Sequence, residues 1–128
     1  MLVQRIQEME EYNIGFLLGK PDIGVRVRRF TNRKIGADYF ASNYSLEYYT
    51  VEPGKSYPVP NRGCDTIYII QLGSVAFEGK SNKVFAKMGD IVYTRVGEIT
   101  SVRNTGTELA EILYCADGQT EKTSNRGL

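Results

Sequence analysis

Apolar and polar residues alternate with a period of two along most of the chain, the pattern of strands with one buried face. "GVRVRRF" (24–30) is short, β-branched and alternating, and "YSLEYYTVEPG" (44–54) is a second such run, closed by the turn pair Pro53-Gly54. "TIYIIQLG" (66–73) stops at Gly73, and "SVAFEGKSNKVFAKMGD" (74–90) reads as a hairpin around the polar turn "GKSN". "DIVYTRVGEITSVRNTG" (90–106) predicts two strands broken at Gly97, and "LAEILYCAD" (109–117) one more. Helical spacing occurs only in "VQRIQEMEEY", through Leu2, Ile6 and Met9; with Val3 beside them, a short strand at a subunit edge is the competing reading. Short strands with turn signals every eight to twelve residues or so predict an all-β sandwich or jelly-roll barrel.

A chain of 128 residues is one domain's worth, and 41% apolar with 24% charged residues is the composition of a folded core. The expected organisation is an N-terminal strand or arm over 1–23, a barrel over 24–117 and a polar tail over 118–128. Sixteen basic residues against fifteen acidic ones give a net charge of +1, too little field for nucleic acid or a membrane surface. The one basic run, "RVRRFTNRK" (26–34), reads as a solvated strand and turn, with a local anion patch as the alternative. Cys64 and Cys115 are too few for a disulfide framework and lack metal-pair spacing. No apolar run reaches about 18 residues and the first dozen lack the apolar stretch of a signal peptide, so a cytoplasmic location is expected.

Gly54 and Gly73 frame a segment in which Pro60, Arg62 and Thr66 stand at spaced positions; Gly89, Gly97 and Asn104 frame another, with Arg95 and Thr100 inside it. Over about Gly24 to Ala116 this resembles the cupin superfamily, specifically its small single-domain "cupin 2" proteins. The family's first motif is glycine, five residues, His-x-His, three or four residues, an acid or histidine, six residues, glycine. Its second is glycine, five residues, proline, any residue, glycine, two residues, histidine, three residues, asparagine. The resemblance implies a double-stranded β-helix, a jelly-roll β-barrel with little helix, and a homodimer formed through N-terminal strands.

It does not carry over the metal. Family members hold Fe, Mn, Ni or Zn with histidines and a glutamate, whereas this chain has no histidine. Pro60 has no side-chain donor atom, Arg62 cannot give up its proton, and Thr66 and Thr100 offer only neutral hydroxyls. Arg62 would also repel a cation; even two unit charges about 4 Å apart cost about 4 kcal/mol at an effective dielectric of 20. A rival site from Glu47, Asp65 or Glu98 needs several acids to converge, which their spacing does not promise. No metal and no cofactor are expected.

If positions 60 and 62 face the lumen as their family counterparts do, Ser56 and Pro58 share that phase. Thr66, Tyr68, Ile70 and Leu72 then point in from one strand, and Thr100 and Val102 from the opposite wall. Tyr93 and Tyr114 join them, with Tyr48 or Tyr49. Such a lumen suits an organic ligand: phenols orient it, and Arg62 or Arg95 clamps a carboxylate or phosphate. The candidate ligand-binding residues are Arg62, Tyr68, Thr66, Thr100, Tyr93, Tyr48 and Arg95.

General acid–base chemistry lacks its usual histidine, and the His–Asp pair of metal-free sugar epimerases with this fold is missing too. Cys64 neighbours Arg62 in "NRGCD" but has no identifiable base, and Cys115 reads as core. The leading expectation is therefore a metal-independent barrel that binds a small anionic organic ligand as a homodimer, with no nucleic-acid or membrane partner. A metal-free isomerase, lyase or cyclase using Tyr68 or Tyr93 as the acid is the alternative, and a structural dimerisation module with a filled barrel the third. No catalytic residue is assigned, and a metal-dependent dioxygenase ranks last.

Overall fold

The computed structural model describes residue 3 and residues 5–30, 44–59 and 63–117. A single 3-10 turn, Ile6–Glu8, leads into β1 (Glu10–Asn13) and the four-residue helix α1 (Ile14–Leu17). Then follow β2 (Val25–Phe30), β3 (Tyr44–Val51), β4 (Ser56–Pro58), β5 (Thr66–Leu72), β6 (Ser74–Glu78), β7 (Lys83–Lys87), β8 (Ile91–Thr94), β9 (Ser101–Asn104) and β10 (Ala110–Asp117). They form a six-stranded sheet in the order β1-β2-β3-β10-β5-β8 and a four-stranded sheet in the order β4-β9-β6-β7. All strand pairs are antiparallel, and together the two sheets make the double-stranded β-helix. Among the described residues no helix is long and apolar enough to cross a membrane.

The alternation of the sequence becomes the core. Val25 and Val27 on β2, Tyr49 and Val51 on β3, Tyr68 and Ile70 on β5, and Ile112 and Tyr114 on β10 all point inward from the larger sheet. Val75 and Phe77 on β6, Val102 on β9 and Tyr57 on β4 meet them from the smaller one. Full burial of an aliphatic or aromatic side chain contributes about 1.5–3 kcal/mol, so this inner layer holds the sheets together.

The helical reading of the N-terminal segment is corrected: β1 pairs with β2 of the same chain, Glu10 opposite Arg29 and Asn13 opposite Arg26. α1 is a single turn that the pattern did not predict, begun where Asn13 Oδ1 accepts from the Phe16 amide. Ser56 and Pro58 do not face inward; Tyr57 does, because pairing with β9 sets Tyr57 opposite buried Val102. Leu72 is only half-buried, beside the β-bulge where the β10–β5 register shifts between Glu111 and Ile112.

Two motif residues explain their own presence. Gly73 lies at the tight corner between β5 and β6 with φ of +81°, where a Cβ would sit 2.9 Å from the Leu109 carbonyl oxygen. Asn104, buried at the end of β9, donates to the carbonyls of Val51 and Glu108 and accepts from the Gly106 amide, at 2.8–2.9 Å. It ties β9 to the end of β3 and to the loop before β10.

Candidate functional site

On β2 the inward phase runs Val25, Val27, Arg29; on β3 it runs Val51, Tyr49, Glu47. Antiparallel pairing sets Arg29 directly opposite Glu47. Arg29 Nε donates to Glu47 Oε2 at 2.9 Å, and the Tyr49 hydroxyl donates to Glu47 Oε1 at 2.9 Å. The Glu47 side chain is only 4% exposed, while Arg29 retains 35% and extends over the Tyr12 ring, 5.2 Å from its centre. A buried carboxylate demands charge-assisted partners, and this one has both.

Around the pair the interior is phenolic. Tyr49 stacks on Tyr57 with ring centres 4.7 Å apart and 6° between planes. Tyr114 meets Tyr49 and Tyr68 edge-on, and Tyr68 leans on Phe77. The four tyrosines and Phe77 thus form one continuous chain of ring contacts in the core. The Tyr57 hydroxyl is fully buried without a hydrogen-bond partner among the described residues. Burial, with Tyr49, Tyr68 and Glu47 nearby, raises its pKa well above the ordinary phenol value, so Tyr57 stays protonated.

Beside the rings lies a cleft of about 270 Å³ between α1 and β4. Ile14, Leu17 and Leu18 form one wall and Pro58 and Val59 the other. Tyr49, Tyr57 and Arg29 complete it, and among the described residues Arg29 is the only ionisable side chain lining it other than the two phenols.

The expected site residues divide. Thr66 and Tyr68 are buried and face inward, Thr66 sharing a hydroxyl–hydroxyl hydrogen bond with Thr94. Three expectations of inward position are corrected. Tyr48 faces outward because Glu47 and Tyr49 hold the inward phase; its hydroxyl donates to Glu111 Oε2 at 2.7 Å, and burial together with that carboxylate raises its pKa. Tyr93 is 57% exposed on the outer face opposite Ile67, with its hydroxyl on Asp65, a bond that lowers the Asp65 pKa and raises its own. Thr100 is exposed before β9, its hydroxyl donating to the Glu78 carbonyl. Arg95 sits in the exposed turn after β8, its amide donating to Glu98 Oε1. Arg62 and Pro60 lie outside the described residues. Cys64 is buried, whereas Cys115 is half-buried on the outward phase of β10 rather than in the core.

Arg29, Glu47, Tyr49 and Tyr57 carry the site, and of these only Tyr49 stood among the sequence candidates for the lumen. The missed signal was present: a cation and an acid each occupy the apolar phase of their strand, where an unpaired charge would be costly.

The side chains that the sequence resemblance aligns with the family's metal ligands offer no imidazole or carboxylate. The Thr66 hydroxyl is engaged by Thr94 and the Thr100 hydroxyl by a backbone carbonyl, while proline and guanidinium chemistry supplies no lone pair. Among the described residues no group of three or more Cys, Asp or Glu converges as a ligand set, and the chain has no histidine.

No family model matches the sequence, and no curated protein matches it. Solved structures do. A predicted oxalate decarboxylase from Thermotoga maritima superimposes with a TM-score of 0.70 at 25% identity, covering 91% of this chain and 98% of that one. A Cupin 2 conserved barrel domain protein from Salinispora arenicola gives 0.68 at 16%, covering 98% of both chains. The polyketide cyclase RemF from Streptomyces resistomycificus gives 0.68 at 14%, covering 91% and 79%. Two interlocked antiparallel sheets, motif glycines and an asparagine latch in register, and this likeness to solved cupin barrels make the chain a member of the cupin superfamily.

Proposed function

We propose that this cupin barrel binds a small organic acid, without a metal, in the cleft between α1 and β4. One observation carries the reading: an apolar cleft of about 270 Å³ with the half-buried guanidinium of Arg29 on its wall. That combination provides apolar burial for a ligand's body and a directional anchor for its anionic end. The volume lies just under the usual range for drug-sized ligands, about 300–1,000 Å³, so the ligand is small. A thermal-shift screen of organic acids, sugars and phosphate esters tests it, repeated on Val59→Trp, which fills the cleft. Stabilisation by at least one compound, lost in Val59→Trp, is the expected outcome; stabilisation untouched by that substitution removes the cleft from consideration. The metal-free part of the reading predicts that untagged protein carries no stoichiometric transition metal by elemental analysis.

A second reading, a metal-free isomerase or cyclase, gains support from the Glu47–Tyr49 bond, a phenol on the cleft wall backed by a buried carboxylate. This is an acid–base arrangement without histidine, with Tyr49 in the place that Tyr68 or Tyr93 was expected to fill. RemF, a protein of similar fold, is by name a polyketide cyclase. Turnover of any bound compound that disappears in Tyr49→Phe, with binding retained, would favour it.

A further inference from the structure

Resting on the binding reading above, we propose that the cleft selects monocarboxylic acids with a compact apolar body, held by the outer edge of Arg29, and discriminates against dicarboxylates and phosphate esters. The argument is a charge balance. Among the described residues Arg29 is the only cation lining the cleft, and Glu47 opposes it at 2.9 Å from a side chain that is 4% exposed and therefore poorly screened by solvent. A guanidinium has five N–H donors in a rigid fork. Here Nε is engaged by Glu47, and among the described residues neither Nη group has a hydrogen-bond partner. That leaves one edge for one carboxylate. A monoanion meets a cation already paired with Glu47; a second negative charge would face Glu47 with no further cation among the described lining residues to offset it.

The remaining wall has little to offer a second polar group. Ile14, Leu17, Leu18, Pro58 and Val59 are apolar, and Leu17 and Leu18 stay 49% and 46% exposed. An apolar ligand body removes that surface from water, which a hydrated dianion does not. The space corresponds to roughly nine water volumes of about 30 Å³ each, enough for a branched short-chain or single-ring acid.

In this arrangement Glu47 is a positioning residue. It fixes the guanidinium from behind, and the Tyr49 hydroxyl fixes Glu47 in turn. Tyr49 and the stacked Tyr57 ring form the floor against which the ligand's body rests.

The experiment is isothermal titration of the full chain with benzoate, phenylacetate and 4-methylpentanoate, against succinate, citrate, glucose 6-phosphate and neutral benzamide. One-to-one binding of the monocarboxylates is expected. The polyanions and benzamide should bind at least roughly tenfold more weakly, the Coulomb term being taken at an effective dielectric of about 20. Arg29→Met should abolish the binding. Because it removes the Arg29–Glu47 ion pair and threatens the fold, Leu17→Glu on exposed α1 serves as the second variant. It places a negative charge at the cleft's lip and should weaken monocarboxylate binding roughly tenfold, while denaturation confirms an intact barrel. Polyanions or benzamide binding as tightly as benzoate, or a folded Leu17→Glu binding unchanged, overturns the inference and leaves the wider binding reading standing. If none of the acids, sugars or phosphates binds at all, both fall.

Discussion

At Tyr57 a phenol hydroxyl is buried with no partner among the described residues, while at Tyr49, stacked on the same ring, the hydroxyl is engaged by a buried carboxylate. The two substitutions to phenylalanine should therefore part company. Tyr57→Phe removes a group that has lost its hydration without regaining a bond, so chemical denaturation should find stability unchanged or raised by up to about 1 kcal/mol. Tyr49→Phe takes a donor from buried Glu47 and should cost about 1–3 kcal/mol in the same measurement. That tyrosines would line the interior was legible from alternation alone. Which of Tyr48 and Tyr49 would do so was not, because neighbouring strand residues always point oppositely and only pairing with β2 and β10 settles the phase. Arg29 and Glu47 were legible in principle, each standing in line with valines and tyrosine. Their direct opposition depends on a β2–β3 register that neither strand encodes by itself.

At the scale of elements, the motif residues act as corners and latches. Gly73 and Gly97 both have positive φ, +81° and +73°, yet their surroundings differ. A Cβ on Gly73 would press on the backbone of Leu109 and Ala110 at 2.9–3.0 Å, while one on Gly97 would meet nothing within 4 Å. Gly97→Ala should cost only the left-handed backbone penalty, about 1–2 kcal/mol. Gly73→Ala adds a clash between backbones that cannot move apart without opening the β5–β6 corner. It should be the worse by more than about 1 kcal/mol, as a shift in thermal midpoint would show. Asn104→Ala breaks three hydrogen bonds in a buried setting and should cost about 3 kcal/mol in a denaturant titration. The spacing of these residues announced the barrel, but it was silent about α1. A single helical turn, capped by Asn13, has no periodicity to detect, and it supplies one wall of the cleft.

For the whole molecule, the phenols set an alkaline limit. Tyr48 and Tyr57 have folded-state pKa values above the unfolded phenol value of 10.0, mainly through burial. The folded state thus keeps protons that the unfolded chain has released, and their contribution is full below about pH 10 and declines as pH rises beyond it. The denaturant midpoint should stay level towards pH 10 and then fall, with tyrosinate absorbance appearing together with unfolding. Release of those protons well before unfolding would show that the buried phenols are open to solvent.

Strand-period alternation, the glycine and asparagine spacing and the lack of any histidine were enough to determine a jelly-roll of the cupin kind and to remove the family's imidazole donors. These are local properties, since a strand's period and a side chain's donor atoms do not depend on what the chain folds against. Where the cleft lies was decided only by tertiary structure. Sheet packing brings the tyrosine rings into contact, β2–β3 register brings Arg29 to Glu47, and α1 closes a cleft against β4. Each of these joins residues far apart along the chain, and their meeting is a consequence of sheet closure that no single strand can specify.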